Sequence, residues 1–193
     1  MYAHHWRYRR YISKASSGVL ALSGTGALTA SIKNRRIIKR FDGLGWVLGD
    51  IGSGLWFGHQ ALISCASDLD GTDQHTYLTD LIIEKIQIER SSQSLIATVS
   101  DQPAAYWAQF TPLVFEAFAA GDDQAKKIVS AGVTRFTHTI SLAAASLRET
   151  DDATTPPPHI YDLVWAGGVA SHTVFPDLVE AQLAQTGMRF QRL

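Results

Sequence analysis

The sequence predicts an α/β fold made of a three-strand meander, a series of helices and two later strands. Short apolar runs bounded by glycine or polar turns lie near both ends of the chain, and stretches with helical spacing lie between them. The 193 residues are enough for one sizeable hydrophobic core. No apolar run approaches the roughly 18 residues that a membrane span requires, so no membrane partner is expected.

The predicted meander occupies the beginning of this pattern. Val19–Ser23 is a continuous apolar run, which is typical of a buried strand. Leu28–Ile32 alternates between large and small or polar residues, and Ile37–Phe41 follows after the polar turn Asn34-Arg35-Arg36. Two further strands are predicted at residues 160–166 and 188–193, on either side of a helix at 175–186.

Helices are predicted between the meander and the fourth strand. Asp50 and Ser53 both stand where a helix N-cap is needed, directly before an apolar stretch that begins at Leu55. A second helix is predicted over residues 76–90, and a third from Ser100 or Asp101 to Gly121. A long helix over 123–148 follows, and residues 149–158, acidic and then triply proline, predict a loop.

Basic residues are concentrated near the beginning of the chain, and residues 1–18 are predicted to be an atypical basic segment before residues 19–193. Residues 1–41 hold nine basic side chains and no acidic one, although the whole chain has a net charge of −1. The first 18 residues also mix arginine with tyrosine and tryptophan, a combination that binds single-stranded nucleic acid. A transit-like leader is another interpretation, because the segment is rich in arginine and has no acidic residue. A solvated basic tail explains the same composition, and a nucleic-acid partner is therefore not expected.

The few residues that could ligate metals or form disulfides narrow the possible chemistry. Cys65 is the one cysteine, which excludes an internal disulfide and suits a reducing, cytoplasmic location. The seven histidines show no metal-ligand spacing, and no metal site is predicted. The sequence contains neither a P-loop nor a G-x-S-x-G motif.

Two glycine-rich turns are the candidate ligand-binding elements. Ser23-Gly24-Thr25-Gly26 joins the first two strands, and Gly167-Gly168 ends the apolar fourth strand before a helix. Glycine lets backbone amides approach a phosphate or a polyol closely, and Thr25 adds a hydroxyl donor. Ordinary hairpin and strand–helix turns would have the same composition, so both interpretations remain open on residues alone.

Asp50 is the leading polar candidate. Its carboxylate lies in the glycine-rich stretch Gly45–Gly54, where it could accept hydrogen bonds from the hydroxyls of a sugar. The alternative interpretation is an N-cap for the following helix. No residue is predicted to be catalytic.

The order of these motifs resembles that of the N-acetylglucosamine kinase and BadF/BadG/BcrA/BcrD ATPase family, which belongs to the actin-like ATPase superfamily. The segments that carry the resemblance are Ser23–Gly26, Gly45–Gly58 and Leu163–Val169. They span roughly residues 19–193 and imply one lobe of an actin-like (ribonuclease H-like) ATPase fold, specifically the C-terminal lobe.

The resemblance also implies roles for individual residues. It places Gly24, Thr25 and Gly26 at ATP phosphates with Mg²⁺, and Gly167 and Gly168 at the adenosine. Gly45 and Asp50 are implied to bind the amino sugar. The sequence departs from the family pattern at Ala27 and Leu28, where relatives often have sugar-facing Ser-Asn, and at Ile51, where they usually have Glu.

The implied activity is ATP-dependent phosphorylation of an amino sugar, and two alternatives compete with it. Residues before Val19 do not match the D-G-G-x-[ST] motif of the family's N-terminal lobe, so the chain is expected to be inactive alone and to self-associate through an exposed apolar face. A BadF-type activator of a dehydratase would need several cysteines for an iron–sulfur cluster, and the chain has only Cys65. A non-catalytic binding module would use residues 1–18.

Overall fold

The computed structural model describes residues 17–149, without the side chain of Glu149, and residues 160–193. The elements are, in chain order, β1 (Ser17–Ser23), β2 (Ala27–Lys33), β3 (Arg36–Asp42), α1 (Gly54–Leu69), α2 (Tyr77–Ile86), α3 (Ser92–Val99), a 3₁₀ helix (Ala104–Phe110), α4 (Thr111–Ala119), α5 (Asp123–Glu149), β4 (Tyr161–Ala166), α6 (Val174–Ala184) and β5 (Phe190–Arg192). The basic segment up to residue 16 and most of the predicted proline loop lie outside the described residues.

The strands agree with the predicted ones to within two residues, whereas two helix predictions are wrong. The helix predicted over 76–90 ends at Ile86, because Gln87 adopts a left-handed backbone with φ 51°. Ser91 then caps a separate helix, α3, by accepting a hydrogen bond from the Ser94 amide. Ser100 consequently lies at the end of α3, and the helix expected to start there is a 3₁₀ helix followed by α4.

The chain divides into two compact units. Of the described residues, the first contains 17–51, 133–149 and 160–193, and the second contains 52–132. The first unit holds all five strands of the sheet, and the second holds α1–α4 and the 3₁₀ helix.

The sheet of the first unit has the order β3-β2-β1-β4-β5. The meander β1–β3 is antiparallel, and β4 pairs in parallel with β1 from Val19↔Leu163 to Leu22↔Ala166. β5 adds to β4, also in parallel. Because β1 and β4 run in the same direction, the loops that follow them emerge at the same edge of the sheet.

One face of the sheet is covered by α5 and α6. Directly paired residues point to the same face, so Thr29 and Trp165 lie on the same side as their common partner Ala21. The Thr29 hydroxyl is 2.9 Å from that of Thr139 on α5, and the Trp165 indole donates to Glu180 of α6 at 2.8 Å. These contacts place both helices on this face.

The opposite face is apolar and buried. Its cluster comprises Leu20, Leu28, Ala30, Ile32, Val164 and Ala166, each at most 8% exposed. This side of the sheet is therefore covered, and the expected self-association through an exposed apolar face stays a prediction. The large apolar side chains with the highest exposure lie in the loop after β3 instead: Leu44 (64%), Val47 (69%) and Leu48 (77%).

The second unit is a helical layer built around α1. Ser53 caps α1 by accepting a hydrogen bond from the Trp56 amide, so Ser53 and not Asp50 fills the N-cap position. The Phe57 and Phe115 rings meet edge to face at 5.2 Å, and the Thr111 hydroxyl donates to the Gly54 carbonyl.

The five-strand mixed sheet with its helices confirms the predicted α/β class and the arrangement of a meander with two later strands. Among residues 17–149 and 160–193, no helix is both long and apolar enough to cross a lipid bilayer.

Candidate functional site

The two glycine-rich turns meet at the edge of the sheet where β1 and β4 end. A Cβ atom placed on Gly24 would lie 3.4 Å from the Cα of Gly167 and 3.6 Å from the amide nitrogen of Gly168. The Ala170 amide also donates to the Ser23 carbonyl at 2.9 Å. Segments about 140 residues apart in the sequence thus form a single backbone surface.

The Gly167 position requires glycine. Its φ is +104°, and a side chain there would collide with the carbonyl group of Ser23. Gly168, by contrast, is exposed and has open space around its Cα. The fourth strand therefore ends in one glycine that allows the turns to pack and a second that faces solvent.

The first turn presents small and polar groups next to this surface. Thr25 is exposed, and the Gly24 amide donates to the Gly26 carbonyl at 2.9 Å. A Cβ on Gly26 would lie 2.8 Å from an oxygen of Asp50, so the small size of Gly26 makes room for that carboxylate. Asp50 is therefore adjacent to the turn as well.

Asp50 occupies a constrained position at the end of the loop after β3. Its backbone is left-handed, with φ 57°, a conformation that is uncommon outside glycine, asparagine and aspartate. Its carboxylate accepts a hydrogen bond from the Gly45 amide at 3.3 Å. Burial raises the pKa of Asp50, the negative charge of Asp42 adds to the rise, and the amides of Gly45 and Ala27 oppose it.

Asp42 and Arg135 also belong to the surroundings of Asp50, although the sequence did not point to them. Asp42 ends β3, and its side chain, only 5% exposed, accepts hydrogen bonds from the amides of Asp50 at 2.7 Å and Gly43 at 2.9 Å. Arg135 on α5 forms an ion pair with it at 3.0 Å. One signal was available, because Asp42 is the first acidic residue of the chain and directly precedes a glycine.

The remaining loop positions differ in their surroundings. Gly45 is exposed with φ +81° and open space around its Cα, and Trp46 is 46% exposed. Ala27 and Leu28 are buried at the start of β2. Those two positions offer no side-chain hydrogen bond to a ligand.

The described residues fit a nucleotide better than a resident metal. They contain no group of three or more His, Cys, Asp or Glu side chains that could hold a metal ion. Exposed backbone at Gly168 and the Thr25 hydroxyl are donors suited to an anion such as phosphate.

Cys65 is a poor ligand for an iron–sulfur cluster. It is fully buried in α1, and burial raises the pKa of its thiol to about 12. The thiolate needed for ligation is therefore disfavoured.

Comparison with known proteins agrees with this architecture. A five-strand mixed sheet with the β1 and β4 loops at one edge is the arrangement of one lobe of an actin-like ATPase. The chain matches the BadF/BadG/BcrA/BcrD ATPase family over residues 1–188, and it belongs to that family.

Individual relatives are N-acetylglucosamine kinases or candidates for that activity. The chain is 32% identical to the N-acetyl-D-glucosamine kinase of Dictyostelium discoideum over 109 residues, which are 55% of this chain and 34% of the kinase. Two solved structures of candidate N-acetylglucosamine kinases share its fold. The one from Chromobacterium violaceum has a TM-score of 0.69 at 20% identity, and the one from Porphyromonas gingivalis has 0.68 at 19%.

The chain spans only part of these relatives. The match to the Chromobacterium structure covers 93% of this chain and 56% of that one. The match to the Porphyromonas structure covers 95% of this chain and 58% of that one. The Dictyostelium match covers 34% of that kinase, so the chain spans between a third and somewhat more than half of the length of these relatives.

Proposed function

We propose that this chain forms the nucleotide-binding and sugar-binding part of an ATP-dependent amino-sugar kinase, with N-acetylglucosamine as the substrate class. The observation that carries the proposal is the meeting of the Ser23–Gly26 turn with Gly167-Gly168, next to the carboxylate of Asp50. Ligands of open α/β sheets bind beyond the carboxyl ends of the strands, which is where this surface lies.

In this proposal the two turns bind different parts of the ATP molecule. Gly24, Thr25 and Gly26 hold the phosphates through backbone amides and one hydroxyl, and Mg²⁺ enters with the phosphates. Gly167 and Gly168 lie against the adenosine. The support is the open space at Gly168 and the exposure of Thr25.

Asp50 and Gly45 contact the sugar in the same proposal. An ionised carboxylate accepts hydroxyl hydrogen bonds strongly, and Asp50 is half-buried beside the phosphate turn. Its position matches the need to bring a hydroxyl acceptor and the γ-phosphate of ATP together, because phosphoryl transfer depends mainly on positioning and charge neutralisation.

Activity is proposed for the whole kinase rather than for these residues alone, because the relatives are longer. Weak ATP binding by the chain itself, a cytoplasmic location and self-association stay predictions. The nucleic-acid interaction considered for residues 1–18 falls almost entirely on residues 1–16, which lie outside the described part of the chain.

The test uses a chimera in which this chain replaces the matching part of the Dictyostelium kinase. With Mg²⁺, ATP and N-acetylglucosamine, it should form sugar phosphate. Asp50→Asn should raise the KM for the sugar and leave that for ATP unchanged, since asparagine keeps the shape but loses the charge. Asp101→Asn, an exposed carboxylate in a turn, is the matched control. Unaltered sugar kinetics in Asp50→Asn would remove Asp50 from the proposed site.

A further inference from the structure

We propose that Asp42, held by Arg135, is a positioning residue that sets the placement of the Asp50 carboxylate. This inference rests on the proposed function of Asp50 as a sugar ligand. The side chain of Asp42 is buried and contacts the amides of Gly43 and Asp50 and the guanidinium of Arg135. It acts through the backbone of the loop between residues 42 and 50.

Asp42 and Asp50 stand at the two ends of this loop and are joined by a hydrogen bond. One Asp42 oxygen accepts both the Asp50 amide, at 2.7 Å, and the Gly43 amide, at 2.9 Å. A Cβ on Gly49 would collide with that same oxygen, so the chain passes close to it just before Asp50. The buried Asp42 carboxylate thus closes the loop.

The backbone conformation of Asp50 makes this hydrogen bond important. A left-handed φ of 57° is more accessible to aspartate than to most residues but is still less populated than extended backbone, so the contacts that hold it decide the conformation. The direction of the Asp50 side chain follows from this backbone. Loss of the acceptor at Asp42 would let Asp50 return to an extended conformation and would move its carboxylate.

Three apolar side chains of this loop contribute little packing. Leu44, Val47 and Leu48 are between 64% and 77% exposed, so little apolar burial fixes their positions. The loop is instead ordered by backbone hydrogen bonds to the Gly45 carbonyl, from Leu48 at 3.1 Å and Gly49 at 2.8 Å. The Asp42 carboxylate ties this turn to the end of β3.

Arg135 anchors the Asp42 carboxylate to α5. Its Nε donates to the second oxygen of Asp42 at 3.0 Å, which leaves the first oxygen for the two loop amides. The same helix is fixed to β2 by the hydroxyl pair Ser31 and Ser146. These contacts therefore fix the position of Asp50 relative to the core of the first unit.

The first experiment measures hydrogen exchange of the Asp50 amide in the chain itself. Asp42→Ala should speed exchange at least about tenfold, because a hydrogen bond to a charged acceptor is lost. Asp42→Asn keeps an oxygen acceptor and should restore part of the protection, and Asp101→Asn should have no effect. Unchanged protection in Asp42→Ala would overturn the proposal. If that variant does not fold, Arg135→Gln takes its place, with faster Asp50 exchange expected and unchanged exchange contradicting it.

The second experiment separates this proposal from the proposed function. In the chimeric kinase, Asp42→Ala should raise the KM for N-acetylglucosamine without changing that for ATP, and Asp42→Asn should be intermediate. An unchanged sugar KM in Asp42→Ala, beside a raised one in Asp50→Asn, overturns the positioning role and leaves the proposed function intact. An unchanged sugar KM in Asp50→Asn as well refutes the sugar-binding role of Asp50, and the positioning proposal with it.

Discussion

Asp50 combines two features that usually oppose stability, a left-handed backbone and a half-buried carboxylate. Its pKa is raised above the ordinary 3.8, first by burial and then by the charge of Asp42. Strained or perturbed groups of this kind are concentrated at functional sites, although structural networks also produce them.

The direction of this pKa shift determines how the contribution of Asp50 to folding stability changes with pH. The folded pKa lies above the unfolded value, so the stabilising contribution of Asp50 is full below pH 3.8 and is lost as the pH rises through the folded pKa. Carbon-detected NMR of the side-chain carboxyls should show Asp50 titrating above 3.8. Asp42→Asn should move its midpoint down, because a negative charge is removed.

Asp68 is the matched reference in the same spectra. Burial alone would raise the pKa of Asp68, but hydrogen bonds from Thr79, Thr76 and His75 outweigh it and lower the pKa below 3.8. A midpoint for Asp50 at or below that of Asp68 would contradict the described surroundings of Asp50.

The junction of the two glycine turns is the central feature at the scale of elements, and it offers a matched pair of substitutions. Gly167→Ala should destabilise the chain by about 2 kcal/mol or more, since its φ of +104° is strained for alanine and its side chain would meet Ser23. Gly168→Ala should change stability by less than about 0.5 kcal/mol, because the space there is open.

Thermal unfolding of both variants checks this pair. Equal melting temperatures would mean that the Ser23 and Gly167 segments are not packed as described. Because Gly168→Ala should be as stable as the unsubstituted chain, a loss of ATP binding in this variant would reflect the site and not misfolding. This variant should weaken ATP binding if the backbone of residue 168 lies at the nucleotide.

Local sequence signals predicted the strands well and the helices less well. The apolar run at β1 and the polar turn after β2 are short-range features, so those boundaries could be read directly. The break at Gln87 could not, because glutamine carries no preference for the left-handed conformation that ends α2. The cap at Ser91 was a detectable signal that the apolar spacing of residues 78–86 concealed.

At the scale of the whole molecule, the sequence indicated candidate ligand-binding residues but not how they meet. The motifs Ser23–Gly26, Asp50 and Gly167-Gly168 were each identifiable from composition and family resemblance. Their contact depends on the parallel pairing of β1 with β4, which no local pattern encodes. Asp42 and Arg135 escaped notice for the same reason, since 93 positions separate them in the chain.

The division into two compact units also lay beyond local signals. The boundary at residues 132 and 133 falls inside α5, where the helical pattern is uninterrupted. Helical spacing reports a continuous helix and carries no information about which contacts its two halves make.

The most direct test of the account is an NMR titration of the ¹⁵N-labelled chain with Mg²⁺-ATP. Shifts are expected at the amides of residues 23–27 and 167–171, with an affinity weaker than micromolar because the relatives are longer than this chain. Gly168→Ala should reduce the shifts, whereas Asp101→Asn should not. Shifts confined to the basic β2–β3 hairpin, or none at millimolar ATP, would contradict the claim that the two glycine turns form a nucleotide site.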